Sequence, residues 1–194
     1  MLDVERFYKT IKRKINFYTG VPDSILKEFS KCLELKEKNH FISTNEGSAV
    51  ALAIGNYLST KKIGLVYLQN SGLGNAINPL ISIAERSVYS IPLLLLVGWR
   101  GAPGFKDEPQ HNSKGKITLK LLRNLKIKYL IIKNNKDLTK VSKLISFSKK
   151  NLIPVCLIIK PKSLYNKIKI KRKKNFINKL NISREYFLKS LLSK

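Results

Sequence analysis

Two consecutive strand patterns within residues 40–74 end in polar residues, and this constrains the fold more than any other feature. The first pattern, at Phe41 and Ile42, leads through a polar turn to Glu46 at the start of a helical pattern. The second, at residues 63–68, ends in the glycine-rich run 69–75. Neighbouring parallel strands present their carboxyl ends at one edge of a sheet, where open α/β proteins bind ligands. The stretch therefore predicts a ligand-binding edge.

Strand and helix patterns alternate along most of the chain. Helices are predicted over 3–15, from 24 onward, over 46–58, 75–86, 118–125 and 138–148, and strands over 17–19, 91–97, 129–132 and 153–159. The continuous apolar run 91–97 is typical of a strand covered on both faces. This order predicts an α/β protein with a three-layer, doubly wound, mainly parallel sheet.

The domain organisation follows from length and composition. A chain of 194 residues that is 43% hydrophobic can bury one core of ordinary domain size. We assign residues 1–160 to that domain and the basic, weakly patterned residues 161–182 to a linker. Residues 183–194 form a short predicted helix, which is either the start of a second domain or a C-terminal helix.

The net charge of +26 suggests a polyanion-binding protein, but its distribution favours another interpretation. Residues 1–112 contain 14 Lys+Arg against 10 Asp+Glu, whereas residues 113–194 contain 24 against 2. Only seven of the 38 basic residues are Arg, the side chain that forms bidentate hydrogen bonds to phosphates and bases. We interpret the excess as a solvated lysine surface, with attraction of an anionic substrate or an acidic partner as the alternative.

The cysteines and the hydropathy profile predict a cytoplasmic protein without membrane contact. Cys32 and Cys156 are isolated, which is typical of core cysteines in a reducing compartment. The first residues lack the apolar run of a signal peptide, and the longest apolar run, 91–99, is too short to cross a bilayer.

Several polar residues have both a structural and a functional interpretation. Ser43 and Glu46 have the spacing of a helix capping box, and Asp23 has the position of a helix cap. The run 69–74 has the composition of a tight turn and the run 98–111 that of a long loop, in which His111 would be a surface loop histidine. The sequence contains no phosphate-binding loop, metal-ligand spacing or nucleophile elbow. Residue patterns alone thus predict an α/β domain with a ligand-binding edge and no more specific function.

Four ordered motifs resemble one enzyme family. They are FYTGVPDS at 17–24, ISTNEGSAVALAIGNYL at 42–58, VYLQNSGLGNAINPL at 66–80 and IPLLLLVGWRGAPGFKDEPQH at 91–111. They resemble the phosphonopyruvate decarboxylases and, more distantly, the sulfopyruvate decarboxylases, within the thiamin diphosphate-dependent decarboxylases. The resemblance covers residues 5–160 and implies the pyrimidine-binding domain of that family.

The resemblance implies thiamin diphosphate as cofactor and assigns it several residues. Glu46 would pair with N1′ of the aminopyrimidine and so promote loss of the proton at C2 of the thiazolium. Asp23 would lie near the reacting carbon. The remaining cofactor contacts implied by the resemblance are Gly20, Val21 and Pro22, at a subunit boundary, and Gln69, Asn70, Ser71, Gly72 and Asn75, around the pyrimidine ring.

The same resemblance implies a substrate side. His111, with Gln110, would assist protonation or hold the acid. Arg100 and Lys106 would meet a phosphonate or sulfonate through charge complementarity, with Ser24 beside them.

The family's Gly-Asp-Gly, which with a downstream Asn holds Mg²⁺ and the diphosphate, is absent from this sequence. Ser183-Arg-Glu185 resembles the start of the missing half. We therefore expect a diphosphate-binding subunit or domain as partner, an oligomer with the active site at an interface, and no turnover by this chain alone. The predicted reaction is decarboxylation of 3-phosphonopyruvate; the alternatives are a sulfopyruvate decarboxylase alpha subunit and a non-enzymatic basic module.

Overall fold

Six parallel strands form the central sheet of the protein. A computed structural model describes residues 1–166 and 183–193. The strands are β2 (Ile15–Gly20), β3 (His40–Ile42), β4 (Ile63–Gln69), β5 (Leu94–Gly98), β6 (Lys128–Ile132) and β7 (Val155–Ile159). They lie in the order β3-β2-β4-β5-β7-β6, and every pairing is parallel. A small second sheet pairs β1 (Leu2–Asp3) with β8 (Leu164–Tyr165).

Helices cover both faces of the large sheet. They are α1 (Val4–Lys12), α2 (Lys27–Lys36), α3 (Glu46–Thr60), α4 (Leu73–Pro79), α5 (Pro109–Asn124) and α6 (Leu138–Asn151), and α7 (Arg184–Leu192) follows near the end of the chain. Successive β4 side chains alternate between two cores: Leu65 and Tyr67 pack with α1, α2 and α6, whereas Val66 and Leu68 pack with α3, α4 and α5. The predicted three-layer, doubly wound parallel sheet is confirmed.

Two helices differ most from their predicted bounds. The helix predicted over 75–86 is α4, which passes at Pro79 into a π-helical turn, Leu80–Ala84, because proline has no amide hydrogen for the helical bonding pattern. The helix predicted over 118–125 begins instead at Pro109, whose fixed φ suits a first helical position. Its exposed first turns are polar and carry no apolar periodicity, which is why the prediction placed its start too late.

The described structure continues beyond residue 160, the predicted end of the domain. Strand β8 lies within the segment predicted as a linker, and its pairing with β1 extends the folded unit to Tyr165. Residues 167–182 of that segment lie outside the described residues. The predicted C-terminal helix is present as α7, with the side chain of Ser183 accepting from the amide of Tyr186 at 3.1 Å.

Both cysteines are buried and free, as predicted for core positions, and burial raises the pKa of the Cys32 thiol to about 11. Among residues 1–166 and 183–193, no helix has the length and apolarity needed to cross a membrane.

Candidate active site

The carboxyl ends of the strands bring together nearly all the residues assigned to the site. Strand β2 is followed by residues 21–24, and β3 is followed by the start of α3. Strand β4 is followed by the 3₁₀ turn Asn70–Gly72, and β5 is followed by the loop that contains Arg100. Because β3, β2, β4 and β5 are consecutive in the sheet, these turns are neighbours along one edge. Four adjacent strand ends therefore form the edge at which the sequence predicts ligand binding.

Glu46 is the first residue of α3, and its carboxylate does not cap that helix. The cap is Asn45, whose side chain accepts from the amide of Ser48 at 2.8 Å. The capping box predicted for Ser43 and Glu46 is therefore wrong, because the N-cap is Asn45 and the helix begins two residues later than that spacing requires. The carboxylate reaches α4 instead, where Nδ2 of Asn75 donates to its Oε2 at 2.8 Å. Glu46 is half-buried and joins two helix starts.

The turn after β4 divides into an inner and an outer part. Asn70 is buried, and its amide bonds the backbone N–H and C=O of Arg100, both at 3.0 Å, and the hydroxyl of Thr118 at 2.9 Å. It therefore holds the ends of β4 and β5 and helix α5 together, so its amide is already committed within the protein. The outer side chains, Gln69 and Ser71, are half-buried and bond each other at 2.6 Å.

The end of β2 lies tightly against β4. A Cβ atom on Gly20 would lie 2.0 Å from the carbonyl oxygen of Tyr67, so only glycine fits there. The amide of Val21 donates to that same carbonyl at 3.0 Å, and Pro22 is exposed at the edge. Close packing at Gly20 thus fixes where the turn leaves the sheet.

Asp23 is buried at 6% exposure and combines the two interpretations that the sequence left open. Its Oδ2 accepts from the amides of Ile25 and Leu26 at 3.1 and 3.2 Å, which caps the turn preceding α2. Its Oδ1 is buried without a hydrogen-bond partner. Burial raises the pKa of this carboxyl, and the two amides only partly oppose that effect. The carboxyl lies against Gly98, where a Cβ atom would be 2.0 Å from Oδ2.

Arg100 is engaged by Asp107, a residue that the sequence analysis did not select. Its Nε donates to both carboxylate oxygens at 3.0 and 2.8 Å, and its Nη2 bonds Oδ1. The guanidinium beside Asp107 holds the pKa of that carboxyl well below its ordinary range. The other end of the fork donates from Nη1 to Ser24 Oγ at 3.2 Å. An acidic residue seven positions after Arg100 was the available signal, but loop geometry decides the pairing.

Ser24, Arg100 and Lys106, three predicted substrate residues, border one cavity of about 370 Å³. Lys106 is exposed, and Lys27 and Lys162 add further positive charge to the same cavity. The structure thus places Ser24 and Lys106 on the same cavity, whereas the charge of Arg100 is engaged in an internal ion pair with Asp107.

Gln110 and His111 lie in the first turn of α5, not in a loop as predicted. The amide of His111 donates to the carbonyl of Glu108 at 2.9 Å, and its carbonyl packs against Gly101, where a Cβ atom would lie 2.0 Å away. The Nδ1 atom of His111 is buried and has no hydrogen-bond partner. An imidazole nitrogen without a partner can accept or donate a proton toward a bound molecule.

Comparison with known proteins relates this edge to one family. A family model described as "Thiamine pyrophosphate enzyme, N-terminal TPP binding domain" matches residues 4–127. Those residues include every strand end described above and the first turns of α5.

Two curated relatives differ in how much of their length is matched. A phosphonopyruvate decarboxylase from Streptomyces viridochromogenes is 38% identical over 119 residues, which are 61% of this chain and 29% of the relative. A sulfopyruvate decarboxylase subunit alpha from Methanococcus maripaludis is 35% identical over 141 residues, which are 72% of this chain and 82% of the relative. The chain thus spans under a third of the first relative and most of the second.

Among solved structures, benzoylformate decarboxylase from Polynucleobacter necessarius superposes with a TM-score of 0.64 and 20% identity. The match covers 83% of this chain and 30% of that protein. At this identity the likeness shows a shared fold.

Proposed function

The chain belongs to the N-terminal thiamine pyrophosphate-binding domain family, and from that premise we propose that it supplies the pyrimidine-binding half of a decarboxylase active site. The proposed reaction converts 3-phosphonopyruvate to phosphonoacetaldehyde and CO₂. Identity of 38–40% to two phosphonopyruvate decarboxylases supports this substrate.

The observation that carries the proposal is the placement of Glu46. Its carboxylate stands at the ligand edge and is not used to cap its own helix, although the chain has the spacing for such a cap. One oxygen accepts from Asn75, and the other lies over Gly72, where there is no side chain. A half-buried carboxyl with one uncommitted oxygen suits a ring nitrogen that exchanges a proton. The residues therefore fit the aminopyrimidine of thiamin diphosphate.

When bound, the cofactor supplies a nucleophilic carbon for the keto group of the substrate and holds the electron pair left by loss of CO₂. Glu46 holds and moves the proton at the pyrimidine nitrogen. Asp23 and His111, each with a buried atom that has no partner, are the groups we assign to proton delivery near the reacting carbon. Gln110 shares the helix turn of His111 and is assigned to the substrate.

The cavity at Ser24 and Lys106 is the proposed site for the anionic group of the substrate. Lys106, Lys27 and Lys162 supply positive charge there, while the Arg100–Asp107 pair is close to neutral as a unit. A phosphonate or sulfonate group accepts hydrogen bonds from such donors.

We further propose that a diphosphate-binding subunit or domain, which also holds Mg²⁺, completes the site. Its Gly-Asp-Gly motif is missing from this sequence. Helix α3, which begins with Glu46, has an exposed apolar side that includes Leu52 and Leu58, at 46% and 48% exposure. Together with exposed Phe41 and Ile42 on the edge strand β3, it forms a surface of the kind that partner subunits cover. Helix α7 is proposed as the connection to that half.

A second substrate, sulfopyruvate, is favoured by one observation. The sulfopyruvate decarboxylase alpha subunits from Methanococcus maripaludis and Methanocaldococcus jannaschii are matched over 82% and 55% of their length, against 29% for the phosphonopyruvate decarboxylase from Streptomyces viridochromogenes. This fuller coverage supports sulfopyruvate as the alternative substrate.

The test combines the chain with the proposed diphosphate-binding half, which is recognised by its Gly-Asp-Gly. With thiamin diphosphate and Mg²⁺ added, CO₂ release is measured from both acids for the native enzyme and for Glu46→Gln. We expect faster turnover of phosphonopyruvate and a loss of at least about 100-fold in the variant. Equal or faster turnover of sulfopyruvate would reassign the substrate.

An active Glu46→Gln enzyme would refute the proposed chemistry. The non-enzymatic alternative makes a different prediction: tight polyanion binding that falls steeply with added salt and is the same in Glu46→Gln.

A further inference from the structure

Gly72 lies directly beneath the carboxyl group of Glu46. It is buried and ends the 3₁₀ turn that precedes α4. A Cβ atom built on Gly72 would lie 2.1 Å from Oε1, 2.3 Å from Cδ and 2.5 Å from Cγ of Glu46. These are its three nearest atoms, so any side chain at this position would first meet the carboxyl group of Glu46.

The backbone itself does not require glycine at this position. Gly72 has φ −79° and ψ −7°, which other residues adopt, unlike Gly101 and Gly104 with φ of +66° and +84°. The need for glycine therefore comes from the neighbouring side chain. Gly74, two residues further along in α4, has no atom within 4 Å of an added Cβ and provides a matched comparison.

We propose that Gly72 is a positioning residue, which sets how deeply the Glu46 carboxyl lies in the ligand edge. This inference rests on the proposed function, because it concerns the acid that acts on the cofactor. An added methyl group would force Oε1 to retreat by about 1 Å, since real Cβ atoms stay at least 3.0 Å from such neighbours. Displacements of that size cost on the order of 100-fold in rate when a reacting group is misplaced.

The fold, by contrast, tolerates the same change. The displaced atoms are the end of a flexible, half-buried side chain, which can turn toward solvent. The bond from Asn75 Nδ2 to Glu46 Oε2 is the contact that such a turn would break. Loss of catalytic position without loss of stability distinguishes this role from ordinary packing.

The first experiment compares Gly72→Ala with Gly74→Ala in the 194-residue chain. Thermal unfolding and the carboxyl ¹³C resonance of Glu46 are measured without cofactor. We expect both variants to unfold within about 4 °C of the native chain, and only Gly72→Ala to move the resonance. In the enzyme assembled with its diphosphate-binding half, we expect Gly72→Ala to lower kcat and the rate of deuterium exchange at C2 of the cofactor about 100-fold. Gly74→Ala leaves both unchanged.

A double variant makes the test specific to the contact. Aspartate at position 46 is one methylene shorter than glutamate, so its carboxyl group lies further from a methyl group added at position 72. The kcat of Gly72→Ala/Glu46→Asp, relative to the native enzyme, is therefore expected to be at least tenfold higher than the product of the relative kcat values of the two single variants. If Gly72→Ala strongly lowers the melting temperature of the native chain, then adding Gly72→Ala to the Glu46→Ala variant must leave the melting temperature of that variant unchanged. A drop that persists there overturns the inference.

Native kcat and an unmoved resonance in Gly72→Ala also overturn it. If Glu46→Gln retains turnover, the proposed function itself fails, which is a separate result. The inference alone fails when Glu46→Gln is inactive and Gly72→Ala is fully active.

Discussion

Removing the charge of Asp107 should destabilise the loop that follows β5, and the structure allows the effect to be sized. The substitution is Asp107→Asn, which keeps the shape of the side chain. The native carboxylate accepts from the guanidinium of Arg100, from the amide of Gly101 at 2.7 Å and from the amide of Glu108 at 2.9 Å. Asparagine retains one acceptor oxygen for these donors and no charge.

The expected loss is about 2 kcal/mol in the free energy of unfolding. Hydrogen bonds to charged groups contribute roughly 1.5–3 kcal/mol, and water replaces them poorly here because the Asp107 side chain is 7% exposed and that of Arg100 22%. For a chain of this size this corresponds to a melting temperature lower by roughly 4–8 °C. The control is Glu28→Gln, which breaks the surface pair with Lys31 and should cost less than about 0.5 kcal/mol.

The pH dependence supplies a second check. The folded-state pKa of Asp107 is lowered, so its stabilisation is present above the unfolded pKa, about 3.9, and is lost as the pH falls below that value. Denaturant unfolding of native and variant chains at pH 7, 5 and 3 should therefore show a constant difference between pH 7 and 5 that shrinks at pH 3. A difference below 0.5 kcal/mol at pH 7, or one that grows on acidification, would refute the reasoning.

Three further predictions concern the same edge. Gly20→Ala should lower the free energy of unfolding by about 1–3 kcal/mol, because the added Cβ would overlap the carbonyl of Tyr67 in β4. The control is Gly55→Ala, which adds a Cβ in open space within α3 and should raise the free energy of unfolding by about 0.5–1 kcal/mol. Equal effects of the two substitutions would contradict the packing argument. Burial raises the pKa of Asp23, so the stability of the native chain falls as the pH rises from the unfolded-state pKa toward the folded-state pKa. In urea titrations between pH 3 and 7, the stability of Asp23→Asn should therefore increase relative to that of the native chain as the pH rises. A stability difference that does not change with pH would contradict this prediction. Lys106→Ala should raise KM for the anionic acid about fivefold with kcat retained, while Lys120→Ala on α5 changes neither; an unaltered KM would remove Lys106 from the substrate site.

The fold was largely predictable because its main signal is local. Apolar runs such as 91–97 and the regular alternation with helical patterns identify strands buried on both faces, and parallel order follows from the crossover helices. The start of α5 was not predictable in this way, because Gln110 and its neighbours are exposed and polar. Strands β1 and β8 have two residues each and depend on a pairing across 162 positions, which no local pattern reveals.

The site was predictable in its location more than in its interactions. Polar residues at strand ends and the family motifs lead to Glu46, but whether its carboxylate caps α3 or reaches α4 depends on which residue starts the helix. Arg100 was selected for its charge, and its neutralisation by Asp107 depends on loop geometry. The packing of carboxyl groups onto Gly72 and Gly98 depends on distances between separate turns, which a sequence does not specify.

The pairing of β1 with β8 also has a consequence for how the polypeptide acquires its native form. Leu2 is fully buried, and the amide of Asp3 donates to Asn135, so the beginning of the chain is held by residues synthesised much later. During synthesis on the ribosome, strand β1 cannot form its pairing with β8 until Tyr165 has emerged. Fragments that end earlier leave strand β1 unpaired and Leu2 uncovered, and they are expected to be more accessible to proteases and chaperones.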